Sequence, residues 1–321
     1  IFTTQSSTGG SNGINISSNP ASSDSSIIVY CKILNSISRG IDVQSRDRVR
    51  IESCEIYNNG TSDSGGGIYC YNSDITVKNC FIHNNTAAVS GSGMYFLNSD
   101  PVVTGNRITL NELASASGGA LGLRQCNLNY VKNNTVVNNT SPTWGGAAVY
   151  LDNCSGGFRY NLISSNASGG IIVVGSGVAM PIEHCTVVYN DLTGIYAASP
   201  ISVVNSIIYS NGSLEISCVY GNSAASWVRF CDVMIGLARI SGIATANIQN
   251  IISANPLFKL PPEGSGSGYP AYWSDFHLSD LSPCIDAGDY LSGEYDADFS
   301  APDLGLYARK LKPTIYRTAD V

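Results

Sequence analysis

Apolar and polar residues alternate in short runs along most of the chain, and the runs return in register. In Val77-Lys78-Asn79-Cys80-Phe81-Ile82-His83-Asn84-Asn85, take the slot of Cys80 as the anchor. Cys31, Cys54, Asn106, Asn134, Asn161, Cys185, Ser206 and Cys231 fill the same slot, at intervals of 21 to 28 residues. Three residues before the anchor the chain is always apolar (Ile28, Ile51, Val77, Val103, Val131), and two residues after it is apolar again (Ile33, Ile56, Ile82, Ile108, Val136). Five residues after it, successive segments carry Asn59, Asn85, Asn111, Asn139, Asn166, Asn190 and Asn211.

A fixed period of this length marks stacked structural units. Alternation with period two makes the units short strands and not helices. Asparagines in one slot of successive coils, about 4.8 Å apart, can bond amide to amide along the axis. They also tolerate a left-handed bend. The pattern predicts an all-β, single-stranded parallel β-helix of about nine to ten coils over residues 1–254, with an irregular C-terminal cap over 255–321.

Each coil is expected to hold three strands, the third following a glycine at Gly40, Gly67, Gly93, Gly119, Gly146, Gly170 or Gly194, where positive φ would suit a tight bend. Loops from ladder asparagine to glycine are longest on coils two to five, which predicts a raised wall on one edge, the kind of insertion that marks a functional face. If Ile68, Met94, Ala120, Ala147 and Ile171 point inward, then Tyr69, Tyr95, Leu121, Ala148, Ile172 and Tyr196 point out, with Tyr71, Leu97, Leu123 and Tyr150 beside them. So long an apolar stripe needs a cover, a sugar, or a second copy of the chain. The C-terminal segment or a loop is the first candidate cover. The N-terminal stretch shows no capping helix, so that end is a second candidate for self-association.

After Asn255 the period breaks. Ser282-Pro283-Cys284-Ile285-Asp286-Ala287-Gly288-Asp289 and Asp303-Leu304-Gly305-Leu306-Tyr307 follow. With the repeats, these segments resemble bacterial and archaeal secreted right-handed parallel β-helix proteins of the pectate-lyase-like superfamily. The resemblance implies right-handed coiling, an extracellular or cell-surface location and a polysaccharide partner. It also implies proton abstraction by Lys or Arg with calcium at the substrate carboxylate. The Asn-Thr-Asp and Gly-His-Gly motifs of the polygalacturonases are absent, which disfavours hydrolysis of that kind.

Composition narrows the partners. A net charge of -7 without a basic run leaves nothing to neutralise nucleic-acid phosphates, and no apolar run is long enough to span a bilayer. Of the 10 cysteines, those in the anchor column are expected to be free buried thiols, while Cys126 and Cys154, on adjacent coils near a loop, are the pair to test for a bridge.

Outward slots put Lys78, Lys132 and Arg159 in one column, with Arg107 close by and Glu52, Glu55 and Glu183 on the same wall. These four bases are the candidate catalytic or anion-holding groups for an acidic polysaccharide, and surface solubility is the competing account. Trp144, Tyr69, Tyr95, Glu112, Arg124 and Asp152 are the candidate substrate-binding residues along the long-loop edge. Asp296, Asp298 and Asp303 are the candidate ligands for Ca2+, with a solvated acidic loop as the alternative. Two functional classes stay open: a protein that binds or cleaves a polysaccharide, and a non-enzymatic adhesin or matrix protein that stacks end to end.

Overall fold

The computed structural model describes residues 2–3, 12–17, 25–114, 118–141, 146–219, 224–264, 268–269, 271–290, 296 and 300–307. Almost all strand pairing is parallel and in register from one turn to the next. Val77 pairs with Ile51 and Val103, Ile82 with Ile56 and Ile108, and Met94 with Ile68 and Leu121. The chain is therefore a parallel β-helix with three faces. The first face precedes the anchor (Ser26–Val29, Val49–Glu52, Thr76–Lys78), the second follows it (Lys32–Leu34, Glu55–Tyr57, Phe81–His83), and the third closes the turn (Ile41–Gln44, Ile68–Tyr71, Met94–Leu97).

About eight turns carry all three strands, from the one entered at Ser26 to the one entered at Ile201. The expected nine to ten coils include incomplete ones. Phe2–Thr3 and Ile14–Ser17 stand before the first full turn, and Trp227–Val233, Ile240–Ser241 and Ile248–Ile252 stand after the last.

Inside, columns of Ile, Val, Leu, Cys and Phe are fully buried, each side chain worth roughly 1.5–3 kcal/mol of burial. Beside them runs the asparagine ladder. Each side-chain amide donates to the next, Asn59 to Asn85 at 2.9 Å, Asn85 to Asn111 and Asn111 to Asn139 at 3.0 Å, Asn139 to Asn166 at 3.1 Å, Asn166 to Asn190 at 2.8 Å and Asn190 to Asn211 at 2.9 Å. A shorter ladder runs through the anchor slots Asn106, Asn134 and Asn161.

Two local expectations change. The ladder asparagines are not themselves left-handed. That conformation falls on the residue before each (Asn58, Asn84, Asn138), before the anchor (Ser53, Asn79, Asn133) and after the third strand (Asn72, Asn98, Asn153). Glycine before the third strand answers to space and not to positive φ. A Cβ on Gly67 would meet the Gly93 carbonyl oxygen at 2.4 Å and the Asn85 Nδ2 at 3.1 Å. In the turns of Gly119 and Gly146 this slot is held by Ala120 and Ala148, because Leu121 pairs with both Met94 and Val149. The inward residues there are Leu121, Leu123, Val149 and Leu151; Gly122 and Tyr150 face out, and Ala148 is buried. A slip of one residue is enough to exchange faces.

All ten cysteines are free thiols. Cys126 and Cys154 form no bridge, each thiol instead donating to a carbonyl of the preceding turn, Phe96 and Leu123.

The described part of the C-terminal segment packs on the second face and not on the third, where a cover was expected. Phe258–Leu260 and Asp275–Leu278 form an antiparallel pair, and Phe258, Phe276, Leu278, Cys284 and Leu304 pack on Val137, Leu162, Val188 and Ile207. The seam is pinned where the Ala271 amide donates to Asn138 at 2.9 Å, Leu306 to Thr186 at 3.0 Å and Asp289 to Asn205 at 2.8 Å. Among the described residues, none of the C-terminal segment lies on the third face.

Candidate functional site

Parallel register lines up one outward column on the third face: Asp42, Tyr69, Tyr95, Gly122, Tyr150, Ile172, Tyr196 and Ser217. Its upper part is closed. Tyr69 and Tyr95 stack at 6.0 Å between centroids, and the Arg39 guanidinium lies 3.7 Å above the Tyr69 ring, held by Asp42 and Asp63 at 2.7 Å each. Tyr95 is only 8 % exposed because it lies over Gly122, where a Cβ would come within 2.8 Å of the ring.

The lower part is open. Tyr150, Ile172 and Tyr196 floor a groove of about 460 Å³, flanked by Leu192, Thr193 and Ser213. The Thr193 and Ser213 hydroxyls are 2.7 Å apart on its rim. Burial raises the pKa of Tyr69, Tyr95 and Tyr150, so these phenols stay protonated and neutral. Arg124 and Asp152 sit in the neighbouring outward column and neutralise each other at 3.1 Å. A groove with ring faces, hydroxyls and little net charge can stack against sugar rings and bond their hydroxyls. It begins on the last of the long-loop turns, that of Tyr150, and runs onto the short-loop turns of Ile172 and Tyr196. Glu112 is exposed on the small sheet of that edge, away from the tyrosine column, and Trp144 lies outside the described residues.

Of the four candidate bases, the structure aligns three. The first-face column reads Glu52, Lys78, Thr104, Lys132, Arg159, Glu183. Lys78 and Lys132 are exposed, and Arg159 bonds Glu183. Arg107 belongs to the second face, across the left-handed bend at Gly105, in line with Glu55 and Phe81. Glu55 is there too, bonded to Lys32 at 2.6 Å and His83 at 3.2 Å.

The acidic C-terminal loop brings Asp286, Asp296 and Asp303 together, one carboxylate oxygen of each within 4.8 Å of the others. Asp286 thus joins the expected Asp296 and Asp303, while Asp298 lies outside the described residues. The Asp286 amide donates to Asp303 at 2.9 Å and the Asp303 amide to Asp296 at 2.9 Å. Hard oxygen donors at this spacing suit calcium, which would draw further oxygens from water or carbonyls.

The sequence pattern of the right-handed beta helix region matches residues 12–187, more than half of the 321-residue chain. The chain belongs to the right-handed beta helix family. That membership carries the fold and its handedness, and the three-faced solenoid described above is its form here. No curated protein matches the chain. Among the described residues no helix is long and apolar enough to cross a membrane.

In this family member the groove residues Thr193 and Ser213 escaped the sequence reading. Ile172 and Tyr196 were legible as outward, but only the register between turns shows that they join Tyr150 in one floor.

Proposed function

We propose that the protein is an extracellular glycan-binding β-helix that holds a polysaccharide chain along its third face. The observation that carries this reading is the open groove floored by Tyr150, Ile172 and Tyr196. In the open part of the column Tyr150 and Tyr196 stand two turns apart with Ile172 between them, so a chain laid along the solenoid axis meets two rings and an apolar step. Among the described residues no acid and base converge on the floor, which favours binding over cleavage.

Tyr150→Ala with Tyr196→Ala is expected to weaken binding of a soluble polysaccharide by about tenfold or more at unchanged melting temperature, each lost stacking contact being worth roughly 0.5–1.5 kcal/mol. Affinity electrophoresis against a panel of neutral and acidic polysaccharides reads this directly. Unchanged retardation of the double variant removes the groove from the account.

A second reading is favoured by the first-face column, where Lys78, Lys132 and Arg159 stand beside exposed Tyr130. An acidic polysaccharide held there would bind with strong salt dependence. Replacing all three bases by alanine should abolish retardation in pectate or alginate gels while leaving the groove ligand bound. Release of unsaturated uronate products by the native protein would turn the same column into a lyase site.

Calcium at Asp286, Asp296 and Asp303 would act structurally, tying the acidic loop that carries Pro302 and Leu304 against the second face. Millimolar calcium is expected to raise the melting temperature by a few degrees relative to chelator, and Asp303→Asn to abolish that difference. Identical melting with and without calcium would mean that hydrogen bonds alone hold the loop in place.

A further inference from the structure

On the second face the outward column reads Lys32, Glu55, Phe81, Arg107, Thr135, Leu162, Thr186, Ile207. In this stretch the charged residues end at Arg107, and beyond it, where the C-terminal segment covers the column, only Thr, Leu and Ile follow as far as Ile207. Arg107 stands at that boundary. Between it and the segment lies a cavity of about 220 Å³, separate from the third-face groove.

The walls of the cavity have distinct chemistry. Asp275 and His277 are two residues apart on one strand, so both side chains lie on the same side of it. The Asp275 Oδ1 accepts from the His277 amide at 3.0 Å and sits 2.6 Å from its Nδ1, which fixes the ring and leaves Nε2 for another partner. The His277 ring packs against Tyr307 at 4.7 Å, and Tyr307 and Thr135 both line the cavity. Leu162 supplies the apolar wall, while Phe276, on the other side of the strand, packs in the seam core.

We propose that this seam cavity binds a small hydroxycarboxylate. The planar Arg107 guanidinium takes the carboxylate through paired N–H bonds, which suits carboxylate geometry. Asp275 accepts a ligand hydroxyl, His277 Nε2 bonds another, and the carbon skeleton lies on Leu162. Two features select the class. A phosphate dianion would be pressed against the Asp275 carboxylate, whereas a single carboxylate with hydroxyls beside it matches one guanidinium and one acid. The volume falls below the roughly 300–1,000 Å³ of sites for drug-sized ligands, so the occupant is a short acid or one terminal residue. Because the walls come from both the solenoid and the C-terminal segment, the ligand also fastens the two together.

Calorimetric titration of the whole chain with D-gluconate tests the proposal. Gluconate is expected to bind, with D-glucose and propionate at least about tenfold weaker, since one lacks the carboxylate and the other the hydroxyls. Arg107→Gln should lose binding by about tenfold or more, and the Tyr150→Ala, Tyr196→Ala variant should keep it whether or not that variant still binds polysaccharide. A disaccharide ending in glucuronate separates the two sources of such an acid: competition with gluconate assigns the site to glycan ends, and no competition assigns it to free acids. In case Arg107→Gln disturbs packing, the His277 ring resonances of the native protein give a second reading, and gluconate should shift them. Equal binding of glucose, full affinity in a folded Arg107→Gln chain, or gluconate binding without a change at His277 each overturns the proposal.

Discussion

Asn111→Leu should cost the fold about 3–5 kcal/mol, far more than an ordinary surface change. The side chain is fully buried and serves both neighbouring turns. Its Oδ1 accepts from the Asn85 amide at 3.1 Å and from the Asn85 side chain at 3.0 Å. Its Nδ2 donates to the Ile82 carbonyl at 3.0 Å, the Thr109 carbonyl at 3.1 Å and the Asn139 Oδ1 at 3.0 Å. Leucine has similar size, so the space is filled, but buried donors and acceptors on both sides are stranded at roughly 1–3 kcal/mol each before relaxation. The glycine slot adds a second penalty, because a Cβ on Gly93 would already lie 3.2 Å from the Asn111 Nδ2 and a branched methyl has less room to turn away. Denaturant unfolding of the purified variant measures the loss, and a leucine variant as stable as the native chain would mean that the ladder is ornamental.

The solenoid was legible because its evidence is repeated. Each turn restates the same inward slots, so one ambiguous segment is corrected by its neighbours. What depended on a single residue count was less secure. The glycine spacing suggested Ala120 and Ala147 as inward leaders of the third strand, yet Leu121 and Val149 carry that role because the loops before them differ in length. Arg107 was placed close to the column of Lys78, in which Thr104 is the member from its own turn. The left-handed Gly105 between them turns the chain onto another face. The position of the C-terminal segment was not legible at all in local pattern. It follows from Val137, Leu162, Val188 and Ile207, whose apolar character on the outward slots of the second face is the mark of the cover they receive. The acidic cluster was half legible: Asp296 and Asp303 are near in sequence, while Asp286, farther back in the chain, is held to them by the bond from its amide to Asp303.

The protein should be more stable near pH 5 than at pH 8, because its asparagine ladder ends on a buried acid. The turn after Asn211 has no asparagine to offer. Glu215 takes the place, its carboxylate accepting from the Asn211 side chain at 2.6 Å and from the Asn211 amide at 3.3 Å, with Arg239 at 3.5 Å. Burial pushes its pKa up to about 7, and the bonds from Asn211 and Arg239 only partly oppose this. Asp232, bonded by the Cys284 thiol, is raised by burial to about 6 in the same way. A carboxyl with a folded pKa above its unfolded one binds more protons in the folded state. Its contribution is complete below the unfolded value of 4.5 for Glu215 and is lost as pH rises through about 7. For Glu215 the loss is at most roughly 3 kcal/mol, at 1.36 kcal/mol per unit. Exposed acids such as Glu55, lowered by its bond to Lys32, act in the opposite sense but lie near the surface and are weakly coupled to folding. Melting curves from pH 4.5 to 8 should therefore fall toward alkaline pH, and Glu215→Gln, which keeps an acceptor for Asn211 without a charge, should flatten much of that fall. A native protein that melts at the same temperature or higher at pH 8 would show that Arg239 keeps Glu215 ionised throughout, making the ladder's end an ion pair and not a proton-binding site.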